Sequence, residues 1–328
     1  MAFNIVKPIP QTLVLGAGGL PASLFSTGAI CAVELIGRAG QFRIVYLCSG
    51  SAPPGFLWMG GMRPPRLVSK MIEYDCERLM PVTNTKLAVV RSILTAKLAG
   101  QPLTLGLRDT TMLGYRIQKH CPEWPLAVRT IATCGDNEIV FGAEGVSEYC
   151  PGEARHIISD EPAPVAIGVR ATATVPFHMT PVNYMGRILQ DGALNEHGNC
   201  PTSLAAIHDG VKEEDIIAFV PAKSDERKQK LLMNIGRHLA GNHQKELAQH
   251  AALMVKPTAA NTRSLDFNIT EERKAELILA GFCAMLRGLN SANLLDRVDI
   301  EKVIAKTATL DGLYEWLEQR ESSDGLCA

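Results

Sequence analysis

The chain has 328 residues, of which 46% are hydrophobic and 20% are charged, a balance that is typical of a globular protein with a sizeable core. The formal net charge is −1 and aromatic residues make up only 5%, so the sequence lacks both the basic field and the stacking side chains of a nucleic-acid-binding surface. We therefore expect no nucleic-acid partner.

Nine cysteines are scattered along the chain, and none of them forms a C-x-x-C pair. An odd number of unpaired cysteines is typical of reduced thiols, so the sequence predicts a cytoplasmic protein without a zinc or redox site. The N-terminal stretch "MAFNIVKPIPQ" lacks the features of a secretion signal, and no apolar run approaches membrane-spanning length. We expect neither a metal ion nor a cofactor.

The first predicted elements are a strand, a glycine-rich loop, a helix and a second strand. The apolar run "TLVL" (12–15) precedes the loop "GAGGLPAS", and "LFSTGAICAVELIGRAG" then shows helical apolar spacing that ends at Gly40. Residues 43–48 form the next apolar run. This order is typical of the start of a parallel sheet.

Residues 60–122 contain three stretches with helical apolar spacing. Because this helical insertion directly follows the second strand and its turn, it could form a cap over that turn. The alternative is that its helices simply flank the sheet.

Further strands are predicted at 126–133, 137–143, near "VAIGVRATA" and at 215–221, and the rest of the chain is mostly helical. The sequence thus predicts one α/β domain over residues 1–328, with three layers and a mostly parallel sheet flanked by helices. Its core spans 12–222, and residues 223–328 form a helical C-terminal region.

The glycine loop after the first strand has two interpretations. A dinucleotide-binding loop is disfavoured because Pro21 interrupts G-x-G-x-x-G and because the second strand ends in "YLCSG", without an acidic residue. Alternatively, the glycines allow backbone N–H groups to approach and stabilise an oxyanion.

The second strand ends in the turn "SGSAP" (49–53), which has the length of a nucleophile elbow. The elbow motif G-x-S-x-G requires small residues two before and two after the serine. Centred on Ser51, those positions hold Ser49 and Pro53. Ser51 is therefore a candidate nucleophile, with an ordinary loop serine as the alternative.

An aspartate, Asp191, stands in the turn "DGALNEHGNCP", shortly after "RATATVPFHMTPV". Aspartate before glycine is a common turn former, so this position gains interest only from the motifs that precede it.

Taken in order, these motifs resemble the patatin-like phospholipase family. "LVLGAGGLPASLFSTGAICAVE" is similar to the opening strand, oxyanion loop and helix of that family, and "SGSAP" falls on its serine elbow. "RTIATCGDNEIVFG" and "RATATVPFHMTPV" resemble its later segments, and "DGALNEHGNCP" its aspartate turn. The resemblance runs from about residue 12 to 222.

The resemblance implies a patatin-like α/β fold and a catalytic dyad of Ser51 and Asp191, which would hydrolyse an acyl ester through an acyl-enzyme. Gly18 and Gly19 would then donate the oxyanion-hole amides. The implied substrate is a lipid or another acyl ester, with transient contact to a membrane surface. The oligomeric state stays open.

Departures from the family pattern cluster at the implied site: they are Ala17, Pro21, Ala22, Ser49 and Pro53. They leave open an inactive protein that binds an acyl ligand or a partner, and an acyltransferase or thioesterase with the same dyad. A nucleotide-binding oxidoreductase would leave the aspartate segment unexplained.

His178 and His197 are accessory candidates that could approach Asp191, although such histidines are more often packing or surface residues.

Overall fold

The computed structural model describes residues 10–35, 42–100, 102–150, 153–194, 200–221, 251–259, 262, 266–295 and 300–324. The stretch "DERKQKLLMNIGRHLAG", which the sequence predicts to be an amphipathic helix, lies outside the described residues. Within the described ranges, no helix has both the length and the apolarity that crossing a membrane requires.

The described strands form one ten-stranded sheet. They are β1 (Thr12–Leu15), β2 (Ile44–Leu47), β3 (Val128–Cys134), β4 (Asn137–Gly142), β5 (Gly145–Tyr149), β6 (His156–Ser159), β7 (Val182–Tyr184), β8 (Arg187–Asp191), β9 (Ile216–Phe219) and β10 (Leu253–Val255). The order is β10-β9-β1-β2-β3-β4-β5-β6, and β8 pairs with both β3 and β7. The five strands from β10 to β3 run parallel, whereas β4 to β8 join by antiparallel pairings.

The parallel centre of the sheet brings the loops after β1 and β2 to one edge. Both strands, like β9, are short apolar runs, as expected where a parallel sheet is covered on both faces. Leu15 pairs with Leu47 on one side and with Phe219 on the other, so the strands end level with one another. The glycine loop and the serine turn therefore emerge side by side.

Helices surround this sheet. They are α1 (Gly19–Leu35), α2 (Ala52–Met59), α3 (Pro64–Ile72), α4 (Cys76–Leu79), α5 (Lys86–Ala99), α6 (Thr111–His120), α7 (Val165–Thr172), α8 (Thr202–Asp209), α9 (Glu271–Ser291), α10 (Ile300–Lys306) and α11 (Leu310–Asp324). Leu13 of β1 faces the larger core, to which α1 and α9 contribute, whereas Val14 faces a smaller core that includes Leu204 of α8. The predicted α/β fold, with parallel central strands flanked by helices, is confirmed.

One predicted strand is wrong: "VAIGVRATA" forms helix α7. Pro164 precedes its first residue, and the buried positions Val165, Gly168, Val169 and Thr172 recur at helical spacing. The helix packs closely on the core at Gly168, where a Cβ would lie only 2.4 Å from the Trp124 ring. A short apolar run with β-branched residues fits a strand or a buried helix equally well, and tertiary packing decides between them.

Helix α1 is sandwiched in the core and crosses α9 at very short range. A Cβ at Gly28 would lie 1.9 Å from the carbonyl oxygen of Ile278, and one at Gly281 would lie 2.1 Å from that of Phe25. Backbones can approach this closely only where glycine stands in both helices. The helical C-terminal region is therefore built into the core next to the glycine loop.

Candidate active site

The turn after β2 has the backbone geometry of a nucleophile elbow, and the serine at its strained position is Ser49. Cys48 is still extended, with φ −123°, and a single 3₁₀ turn over Ser49–Ser51 then leads into α2. Ser49 adopts φ +54°, a left-handed conformation that is uncommon for residues other than glycine. Such strain is typical of functional turns, and in an elbow it lifts the serine hydroxyl out of the strand.

The Ser49 hydroxyl donates a hydrogen bond to the carboxylate of Asp191. The distance from Oγ to Oδ2 is 2.6 Å, and both side chains are buried. The Ser49 amide in turn donates to Oγ1 of Thr172, at the end of α7, at 2.9 Å. The serine is therefore fixed through both its backbone and its side chain.

Asp191 is held rigidly at the end of β8. Its amide donates to the carbonyl oxygen of Thr174 at 2.9 Å, and the amide of Ala193 donates to its Oδ1 at 2.8 Å. Burial raises the pKa of Asp191 from 3.8 to about 6, although the hydrogen bonds from Ser49 and Ala193 act in the opposite direction. The carboxylate is therefore ionised at neutral pH and is also a stronger base than an exposed aspartate, as proton acceptance requires.

Ser51 points elsewhere, and the expectation that it lies against Asp191 is corrected. The Ser51 hydroxyl is fully buried. As a donor it lies within hydrogen-bonding distance of the carbonyl oxygens of Leu15, at 2.7 Å, and Cys48, at 2.9 Å. As an acceptor it binds the Cys48 amide at 2.9 Å. These bonds tie the end of β1 to the turn after β2. Ser51 therefore has a structural position, and the structure pairs Asp191 with Ser49.

The sequence motif expects small residues two before and two after the serine, whereas the close contacts in the structure fall at Gly50 and Gly55. Glycine is required directly after Ser49, since a Cβ at Gly50 would lie 1.9 Å from the carbonyl oxygen of Gly19. The large Leu47 side chain, two residues before Ser49, is accommodated because Gly55 in α2 leaves room for it. The glycine that directly follows Ser49 is the signal in the sequence that points to this serine within the turn.

The two predicted oxyanion glycines have different surroundings. Gly18 and Gly19 adopt φ +152° and +64°, conformations that favour glycine. Gly19 begins α1 and lines the same cavity as Ser49, at a helix N-terminus whose first amides have no acceptor within the helix. The Ser23 hydroxyl in α1 donates to the carbonyl of Gly50, which joins the two loops. Gly18 packs towards Ala22 and Pro221.

A narrow cavity of about 40 Å³ lies in front of Ser49. Apolar side chains from several parts of the chain line most of it, namely Leu20, Pro53, Tyr74, Cys76, Met80, Leu113, Val175, Met179 and Phe267. Four of these, from Tyr74 to Leu113, belong to the helical insertion. The insertion therefore lies against the serine turn, and the C-terminal region adds Phe267.

Of the two accessory candidates, His178 lies among the described residues, and the groove that it lines does not include Asp191. His178 lines a neighbouring groove together with Arg108 and Phe267, and its pKa is lowered by burial and then by Arg108. His197 lies outside the described residues. Burial, and then the charge of Asp191, raises the pKa of the Cys48 thiol, which disfavours a thiolate beside the serine.

Within the part of the chain that the structure describes, no group of three or more His, Cys, Asp or Glu side chains is arranged to hold a metal ion. The groups assembled around Ser49 are a hydroxyl, a carboxylate and backbone amides. This set is suited to nucleophilic attack on a carbonyl group.

Comparisons with known proteins give only distant likenesses. No protein-family model matches the chain, and no curated protein matches it. Among solved structures, it is similar to VipD from Legionella pneumophila, at 12% identity and a TM-score of 0.43, over 89% of this chain and 70% of VipD. A human GIVD cytosolic phospholipase A2, in complex with methyl γ-linolenyl fluorophosphonate, gives 13% identity and a TM-score of 0.43 over 95% and 60% of the two chains.

The type III effector protein ExoU gives 13% identity and a TM-score of 0.40, over 88% of this chain and 54% of ExoU. This chain thus spans less than two thirds of the length of the last two structures.

Proposed function

We propose that the protein is a patatin-like serine acyl hydrolase that acts on a lipid or another acyl ester, with Ser49 as the nucleophile and Asp191 as the base. The observation that carries the proposal is the 2.6 Å hydrogen bond from a serine in a strained, left-handed turn to a buried aspartate of raised pKa. The order of the sequence motifs supports the same family, with the nucleophile moved from Ser51 to Ser49.

In the proposed reaction, Ser49 Oγ attacks the acyl carbonyl carbon while its proton moves to Asp191 Oδ2. Collapse of the tetrahedral intermediate breaks the ester bond, and Asp191 returns the proton to the leaving alcohol. Water then attacks the acyl-enzyme, gives its proton to Asp191 and releases the acid, after which the proton returns to Ser49. An alcohol or amine in place of water would make the same dyad an acyltransferase.

The amides of Gly19 and Gly50 are the proposed oxyanion donors. Both residues line the cavity of Ser49, and each stands in the first turn of a helical segment, where N–H groups lack intrahelical acceptors. Loss of one such donor typically costs about 3 kcal/mol of transition-state stabilisation. Gly18 supports this loop through its backbone conformation.

The apolar lining of the cavity favours an acyl chain as the group that binds there. At about 40 Å³ the cavity holds a few water molecules and not a chain. Met80 and Met179 stand in its wall, and methionine side chains adapt readily to a ligand. We therefore expect these side chains to move aside when substrate binds.

A fluorophosphonate probe, followed by peptide mass spectrometry, tests the proposal. We expect the label on Ser49, complete loss of labelling in Ser49→Ala, and labelling slowed by at least about 100-fold in Asp191→Asn because the base is lost.

The matched control is Ser51→Ala, which removes a buried hydroxyl two residues away. It should lower the free energy of unfolding by about 1–3 kcal/mol and still allow labelling at Ser49. Label on Ser51, or none in folded protein, would refute the proposed nucleophile. The second result would favour the alternative of an inactive protein that binds an acyl ligand.

A further inference from the structure

Helix α5, in the insertion, carries apolar side chains that face away from the protein. Leu87, Val90, Leu94 and Leu98 are 78%, 51%, 57% and 89% exposed, and we refer to them as the α5 stripe. In this helix of 14 residues, only Val89 is buried. Contiguous exposure of this kind marks an interaction site, since single exposed leucines are common but aligned ones are not.

The stripe is bordered by basic side chains on both sides. At about 100° per residue, its four members fall within about 80° of the helix circumference, with Lys86 and Lys97 on one flank and Arg91 on the other. All three basic residues are exposed, and α5 contains no acidic residue. In the described part of the chain, no ion pair or hydrogen bond from these three side chains is present. An apolar stripe with basic flanks is typical of a helix that lies in a lipid interface.

The beginning of α5 also lies beside a groove that adjoins the cavity of Ser49. Val82, Asn84 and Lys86 line the groove of about 530 Å³ that contains His178. Phe267 lines both this groove and the cavity in front of Ser49. The groove beside the start of α5 and the cavity in front of Ser49 therefore adjoin at Phe267.

We propose that α5 docks flat on an anionic phospholipid surface, with the α5 stripe among the acyl chains and Lys86, Arg91 and Lys97 on the head groups. Its catalytic consequence, delivery of a lipid from that surface to Ser49, rests on the proposed function; the docking itself does not. Two other partners could cover this face, a second copy of the chain or residues 222–250 of the same chain. Charge favours an anionic lipid over both. A second copy would bring α5 against an equally basic helix, and residues 222–250 contain six Lys and Arg against three Asp and Glu.

Flotation with phospholipid vesicles tests the proposal. The full chain should float with vesicles that contain phosphatidylserine and only weakly with pure phosphatidylcholine. Because each basic side chain near an anionic surface strengthens binding about fivefold, Lys86→Gln/Arg91→Gln/Lys97→Gln should weaken binding about 100-fold. Leu94→Gln/Leu98→Gln should weaken it by a similar factor without changing the unfolding transition.

Matched controls separate the stripe from general surface effects. Leu126 is 85% exposed outside α5, and Lys306 is an exposed lysine of α10, so Leu126→Gln and Lys306→Gln should bind like the original protein. Ser49→Ala should also bind fully, so loss of catalysis and loss of docking are separate results. The proposal is overturned if the original protein does not float, if the stripe variants float unchanged, or if the stripe instead holds a dimer that Leu94→Gln/Leu98→Gln converts to a monomer.

Discussion

At the scale of single residues, the surroundings of Asp191 determine how the site responds to pH. The groups that contact its oxygens, the Ser49 hydroxyl and the Ala193 amide, are both neutral. Without a cation among these contacts, burial dominates and raises the pKa of Asp191 to about 6. Because burial disfavours the ionised carboxylate, Asp191 accepts a proton more readily than an exposed aspartate does.

Activity should therefore depend on pH through one group. Only ionised Asp191 can take the Ser49 proton, so acylation should rise about tenfold per pH unit below pH 6 and level off above it. Probe labelling between pH 4.5 and 8 measures this profile. A rate that rises instead through pH 7, near the ordinary pKa of histidine, would indicate a histidine base and contradict the assignment.

Stability should show the opposite trend. The pKa of Asp191 rises from 3.8 to about 6 on folding, so the folded state favours the protonated form. The contribution of Asp191 to the free energy of unfolding is fully present below about pH 4. It falls by about 3 kcal/mol as the pH rises through about 6. Asp191→Asn removes this loss, so it should be more stable than the original protein at pH 8 and equal or less stable at pH 4.

Urea unfolding of both proteins at the two pH values measures the difference, in which other titrating groups cancel. An unchanged difference between pH 4 and pH 8 would contradict the raised pKa.

At the scale of elements, the position of Ser49 depends on how β2 packs against α2. A Cβ at Gly55 would lie 2.2 Å and 2.7 Å from the two Cδ atoms of Leu47. Strand β2 can therefore end in the large Leu47 side chain only because α2 has glycine at position 55.

A double-mutant cycle tests this contact. Gly55→Ala should cost about 1–3 kcal/mol by overpacking, and Leu47→Ala about 2–5 kcal/mol by opening a cavity. Because the smaller Leu47→Ala side chain makes room for the new methyl group, the double variant should cost at least about 1 kcal/mol less than the sum. Urea unfolding measures all three variants, and additive costs would show that the two positions do not interact.

The sequence predicts which segments form the site, but it does not predict which side chains within them are in contact. The serine turn can be identified because it follows a recognisable strand, and Asp191 because it follows a series of motifs that resemble one family in their order. The choice between Ser49 and Ser51 depends on which residue adopts a positive φ and on how closely Gly19 approaches Gly50. Both are properties of tertiary packing that a pattern of small residues does not encode. Helix α7 was missed for a similar reason, since its apolar spacing also fits a buried strand.

At the scale of the whole molecule, the crossing of α1 and α9 joins the C-terminal region to the loop that faces Ser49. The βαβ start was predictable because its elements are neighbours in sequence. The crossing was not, because it joins segments about 250 residues apart and depends on one glycine in each.

Gly281→Ala should therefore destabilise the whole protein. Its Cβ would lie 2.1 Å from the backbone oxygen of Phe25, which cannot move without shifting α1, so we expect a cost of about 3 kcal/mol. The control is Gly135→Ala, where φ is +62° but no atom lies within 4 Å, and where about 1–2 kcal/mol of backbone strain is expected. Thermal unfolding compares them, and equal costs would show that the crossing tolerates a methyl group.

The same crossing constrains how the protein is made. When α1 leaves the ribosome, the face around Gly28 that will pack against α9 has no partner. At about 5–20 residues per second, α9 follows roughly 10–50 s later. Throughout that interval a largely apolar helix, "GLPASLFSTGAICAVEL", lacks one of the elements that bury it in the folded protein. We expect nascent chains stalled before residue 271 to be held by chaperones, and native structure to form only as the last helices are released.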